Sequence, residues 1–107
     1  MRITALKAAS VTLLLGAGPA LASSDEAWKQ FAADVETRCL AASKSLVRAA
    51  KIAVDPLGTQ SYGVAILTGR AVGADEAVSL VCVYDKQSKT AEVSPGFDQD
   101  AVTVTIP

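Results

Sequence analysis

The chain has 107 residues with 10 basic and 11 acidic side chains, a balance that argues against nucleic acid or anionic lipid as its main partner. It has no histidine, so it cannot assemble a Ser-His-Asp or Cys-His catalytic arrangement or a histidine-ligated zinc site. Half of its residues are hydrophobic, which suits a folded chain, and its length suits one domain with a modest core.

Residues 1–22 read as a secretory signal peptide. Arg2 and Lys7 form a positive start, an apolar run from Ala8 to Gly16 follows, Gly18 and Pro19 break it, and Ala20-Leu21-Ala22 supplies the small-x-small cleavage pattern. The run is shorter than the roughly 20 apolar residues of a membrane span, and no longer one follows, so no span is expected in the mature form. Cleavage after Ala22 would leave residues 23–107 as a single domain, with 8 basic residues against 11 acidic ones and a net charge of −3. The expected location is the periplasm or the secreted medium.

In the mature part, Ser23 is the expected N-cap of a helix, with Glu26 three residues on completing a capping box. Trp28, Phe31, Val35, Cys39, Ala42, Leu46 and Ala49 recur at steps of three or four, one apolar stripe that predicts a long helix from about Asp25 to Ala50. Ile52 and Val54 suggest a short extended segment before the turn chemistry of Asp55-Pro56-Leu57-Gly58. Tyr62 to Gly69 alternates with period two and predicts a strand; Gly69 to Asp75 reads as a connecting loop. A second strand is expected from about Glu76 to Asp85, with Val78, Leu80, Cys82 and Tyr84 on one face and Val81 and Val83 on the other. Asp85 to Lys89 reads as a hairpin turn, a short strand follows at Thr90 to Val93, and Ala101 to Ile106 alternates as a last strand. The fold class is therefore α+β, one long N-terminal helix on an antiparallel sheet of three to five strands.

Cys39 and Cys82 are an even pair in an exported chain and are expected to form a disulfide pinning helix to sheet. With no histidine and no CxxC spacing, no metal site and no cofactor is expected. Neither Gly69 and Gly73, four apart without a following GK[ST], nor Ser43-Lys44-Ser45 completes a catalytic motif. The acidic pairs Asp75-Glu76 and Asp98-Gln99-Asp100 read as solvated turns rather than as the two carboxyl groups of a glycosidase or a calcium loop. The expectation is a protein that is not an enzyme.

The segment with the composition of a recognition loop is Asp55 to Gly63. A rigid proline and flanking glycines shape it, Leu57 and Tyr62 offer apolar contact, and Thr59, Gln60 and Ser61 offer small polar groups. The same residues would also serve as a plain helix-to-strand connection with Tyr62 in the core. Arg70 and Lys86 are secondary candidates on predicted loops, Arg70 as a partner for a carboxylate.

The stretches VDPLGTQSYGVAILTG and VCVYDKQSKTAEV, after a helix carrying RCLAAS, resemble small exported proteins of alphaproteobacteria, with periplasmic peptidoglycan-hydrolase inhibitors of the lysozyme-inhibitor kind as the associated function. Such inhibitors present a Ser-Gly-x-x-Tyr loop to the hydrolase cleft. The comparable stretch here is Gly58 to Tyr62, with the glycine four residues before the tyrosine and Leu57 in place of the serine. The resemblance implies a protein partner, a peptidoglycan hydrolase, with Ser61 and Tyr62 as contact residues. An envelope interaction module without an enzyme target is the other expectation.

Overall fold

The computed structural model describes residues 24–107; the expected signal peptide and the Ser23 cap lie outside them. Helix α1 (Ser24–Ser43) is followed by strands β1 (Val47–Val54), β2 (Tyr62–Ala71), β3 (Ala77–Asp85), β4 (Ala91–Val93) and β5 (Phe97–Asp98). All pairings are antiparallel, in the order β1-β2-β3-β4, with β5 also paired to β3. The fold is α+β as expected, one helix packed across one sheet. Among the described residues no helix is long and apolar enough to cross a membrane.

Asp25 and Glu26 sit in the first turn of α1, where carboxylates suit the positive end of the helix dipole. Val35, Cys39 and Ser43, four residues apart, are the buried stripe. They meet Ala65, Leu67, Leu80, Cys82 and Tyr84, with Val47 at the margin of the same core. Burying the Val35 and Leu67 side chains contributes about 1.5–3 kcal/mol each. The Cys39–Cys82 disulfide runs through the middle of this contact, as the cysteine pair predicts.

The helix is shorter than its apolar spacing predicts. It ends at Ser43, whose hydroxyl donates to the Leu40 carbonyl (2.9 Å), and a turn closes with Leu46 N–H donating to Ser43 O (2.9 Å). Residues 47–54 are instead an edge strand, longer than the short segment expected at Ile52–Val54. The helix-favouring Arg48, Ala49, Ala50 and Lys51 are overridden by pairing with β2, where Ala50, Ile52 and Val54 turn inward. The ladder is irregular between Arg48 and Lys51, and Ala49 absorbs the extra residue with φ 53°.

The second correction is at the far end. Ala101–Ile106 forms no strand. Asp98 starts a turn, accepting the Ala101 and Val102 amides at 3.1 Å each, and the tail then crosses the sheet face away from α1. Val104, Thr105 and Ile106 line a shallow groove there with Lys51, Thr68 and Ala77. The alternation in the tail thus reflects packing onto a face, not a place in a ladder. The Gly69–Asp75 connection is also shorter than expected, because β2 continues to Ala71. The hairpin at Asp85–Lys89 forms as expected: Lys89 N–H donates to Asp85 O (2.7 Å) and Asp85 N–H to Thr90 O (2.8 Å).

Gly63 lets the helix lie close to the sheet. A Cβ there would stand 2.7 Å from Val35 Cγ2 and 3.0 Å from Phe31 Cζ. Gly63→Ala is therefore expected to destabilise by about 1–3 kcal/mol through overpacking. Ala49→Gly should stabilise by about 1 kcal/mol by relieving the left-handed backbone. Denaturant unfolding of both variants against the parent checks the opposite signs.

Candidate functional site

The loop between β1 and β2 is held from inside by its own side chains. The Asp55 carboxylate accepts the amides of Leu57 (3.0 Å) and Gly58 (3.1 Å), while Asp55 N–H donates to Val64 O (2.9 Å). Those amides, Gly58 first and Leu57 second, hold the Asp55 carboxyl below the ordinary range. Gly58 has φ 71°, and a Cβ on it would lie 2.3 Å from Tyr62 O, so the turn admits no side chain at that place. Thr59 N–H donates to Tyr62 O (2.8 Å) and Thr59 Oγ1 accepts Tyr62 N–H (3.0 Å), closing the loop neck.

Lys86, from the β3–β4 turn, braces the loop from outside. Its ammonium donates to Thr59 O (2.6 Å) and Leu57 O (3.2 Å), and its amide donates to Ser61 O (3.1 Å). The same ammonium lies 5.0 Å from the Phe31 ring centroid and 5.7 Å from that of Trp28. Strand turn, loop and helix are therefore joined at one cation.

Of the sequence-derived candidates, Leu57, Thr59, Gln60, Ser61 and Tyr62 stand together at this tip. Leu57 is 56% exposed and Tyr62 44%, so Tyr62 is a surface residue rather than a core one. Gln60 and Ser61 are exposed between them. The Thr59 hydroxyl is turned into the loop and shapes it. Arg70 stands apart, eight residues further along β2, about 26 Å from Tyr62 at strand rise; it lies 3.7 Å from the Asp75 carboxylate. The acidic pairs of the two turns are dispersed, Asp75 beside Arg70 and Asp98 in its own turn. Among the described residues no three His, Cys, Asp or Glu side chains are grouped to hold a metal ion.

Sequence reasoning missed how Lys86 is used and missed the pair behind it. The Tyr84 hydroxyl donates to Asp34 Oδ2, and Arg38 Nε approaches Asp34 Oδ1 at 3.4 Å. The tyrosine donor, ahead of Arg38, holds the Asp34 carboxyl below its ordinary value. Burial, then the Asp34 hydrogen bond, pushes the Tyr84 phenol up to about 12. Asp34 and Tyr84 are 50 positions apart, and no local pattern joins them.

Compared with known proteins, the chain matches no family model, no curated protein and no solved structure. The fold and loop define it by geometry alone, as an α+β scaffold presenting a braced, mixed polar and apolar tip.

Two outcomes test this geometry. Lys86→Met keeps the stem and removes the donors, so amide exchange at Leu57–Tyr62 should accelerate about tenfold or more, read by NMR hydrogen exchange. The Tyr84 phenol binds its proton more tightly folded than unfolded, so its stabilisation is full below pH 10 and falls as pH rises towards about 12. Asp34 behaves in the opposite sense, stabilising above its unfolded value of 3.8 and losing this as pH falls through its lower folded value. Tyr84→Phe should remove the alkaline decline and cost about 1–2 kcal/mol at neutral pH, the lower end because Asp34 is 35% exposed.

Proposed function

We propose that the protein is an exported, non-catalytic binding protein that docks its Leu57–Tyr62 loop in the cleft of a peptidoglycan hydrolase and restrains it. The observation that carries this reading is the brace: Lys86 fixes the loop carbonyls at Leu57 and Thr59 while Leu57 and Tyr62 stay exposed. A loop ordered before binding loses little entropy on docking, and exposed apolar anchors with polar neighbours suit a protein cleft. Gln60 and Ser61 carry donors that suit the paired carboxylates of a glycoside-cleaving site. The positive, apolar, small-x-small N-terminus and the disulfide support an oxidising compartment outside the cytoplasm.

A second reading, an envelope interaction module without an enzyme target, draws on the sheet face away from α1. There Ile66 and Val83 are each 38% exposed, and Val64 and Val81 lie beside them in register.

Clearing of a peptidoglycan suspension by a panel of muramidases and lytic transglycosylases, with and without the purified protein, separates the two. The expected result is dose-dependent slowing of one hydrolase, weakened about 30-fold or more by Leu57→Ala with Tyr62→Ala, at an unchanged unfolding midpoint. Undiminished inhibition by that variant removes the loop from the contact. No slowing of any hydrolase removes the enzyme target and favours the sheet-face reading.

A further inference from the structure

Next to the braced loop, helix α1 and the β3–β4 hairpin part to leave a groove of about 440 Å³. Phe31 and Tyr84 line it, with Gln30 at its side. Three further lining residues are cations: Arg38 from the helix, Lys86 and Lys89 from the hairpin. One acid faces them, Asp34, and both its oxygens are engaged, Oδ2 by the Tyr84 hydroxyl and Oδ1 by Arg38.

The charge of the groove is thus left positive in a chain whose overall balance is −1. Lys86 gives its hydrogen bonds to neutral carbonyls, and the carboxylate that feels its charge, Asp55, is itself engaged by the Leu57 and Gly58 amides. Among the described residues neither Lys86 nor Lys89 lies within 4.0 Å of a carboxylate oxygen; the ion pairs there are Arg38–Asp34 and Arg70–Asp75. Lys89 holds this place with φ 62°, a left-handed backbone that costs a lysine about 1 kcal/mol relative to glycine.

We propose that this groove binds a short acidic peptide segment of a protein partner, a carboxylate lying between Arg38 and Lys89 and an apolar neighbour against the Phe31 ring. This rests on the reading of the chain as a protein-binding module and adds the chemistry of what it takes. The aromatic lining favours a ligand with an apolar side chain beside the charge over a bare inorganic anion. A long polyanion would meet the acidic remainder of the surface, whereas a short segment stays within about one Debye length of the three cations.

The test is an NMR titration of the purified ¹⁵N-labelled protein with acetyl-AFEELA-amide, and with acetyl-AFQQLA-amide as its neutral match. Shifts should centre on Phe31, Arg38, Tyr84 and Lys89, with the glutamine peptide at least tenfold weaker. Raising salt from about 50 to about 500 mM should weaken the acidic peptide several-fold. Arg38→Gln with Lys89→Gln should cost tenfold or more; Lys89→Gln alone, at an exposed turn, should cost about threefold and guards against a folding defect in the double variant. Equal binding of the two peptides, or shifts centred on the sheet face at Ile66 and Val83, would overturn the proposal. The titration contains no hydrolase, so it stands whatever the clearing assay gives. Hydrolase inhibition retained without any peptide binding would remove the groove and keep the loop.

Discussion

The contact between one helix and one strand organises this molecule, and the Cys39–Cys82 bond lies at its centre. Closing a loop across 43 positions restricts the unfolded chain by about 4 kcal/mol in the chain-entropy view, a large share of what so small a core supplies. The bond also fixes the direction of everything further along β3. Period-two geometry places Leu80, Cys82 and Tyr84 on the helix side in succession. Leu80 fills the core, Cys82 staples it and Tyr84 reaches Asp34 at the rim. Two residues beyond, Lys86 leaves the strand and takes hold of the loop. One alternating series thus leads from apolar packing to the braced tip, and the brace is only as well placed as the staple behind it.

Much of this arrangement is legible in the sequence because it depends on local periodicity. The α1 stripe through Val35 and Cys39, the alternation of β2 and β3, and the hairpin at Asp85–Lys89 each carry their own signal. The misread segments are those where a neighbour decides. Residues 47–50 have helical composition, yet β2 offers Arg48 and Val47 a ladder that a continued helix would forgo. Val102, Val104 and Ile106 alternate as strand residues do, but the alternation serves a sheet face. The site divides in the same way. Pro56, Gly58 and the small polar residues announce a shaped loop, whereas Lys86 looks like any exposed turn lysine until the fold brings Thr59 O to within 2.6 Å.

The two faces of the sheet explain why the chain needs its tail. Helix α1 covers Gly63, Ala65 and Leu67, and among the described residues nothing of comparable width covers Val64, Ile66, Val81 and Val83. The tail shields one end of that face, enough to leave Ser79 only 6% exposed although it points away from the helix. The free edge at β1 is blunted by Arg48, Lys51 and the irregular backbone at Ala49, devices that discourage pairing with another chain. The scaffold is thus protected at its edge, while Leu57 and Tyr62 at its loop end stay exposed.

On the proposed reading, loop and groove divide the work of recognition by range. As the proposed anchors, Leu57 and Tyr62 would act only on contact, where desolvated side chains set how slowly a partner leaves. The cations at the groove would act over several ångströms, where charge sets how a partner approaches and in which orientation. Lys86 belongs to both: its hydrogen bonds stiffen the loop and its charge adds to the groove. A neutral donor at that position could hold Thr59 O and Leu57 O, but it would leave Arg38 largely compensated by Asp34 and Lys89 as the one remaining cation. Placing a lysine there couples loop order to groove charge, so that the surface proposed to orient an acidic segment is the same one that holds the Leu57 and Thr59 carbonyls.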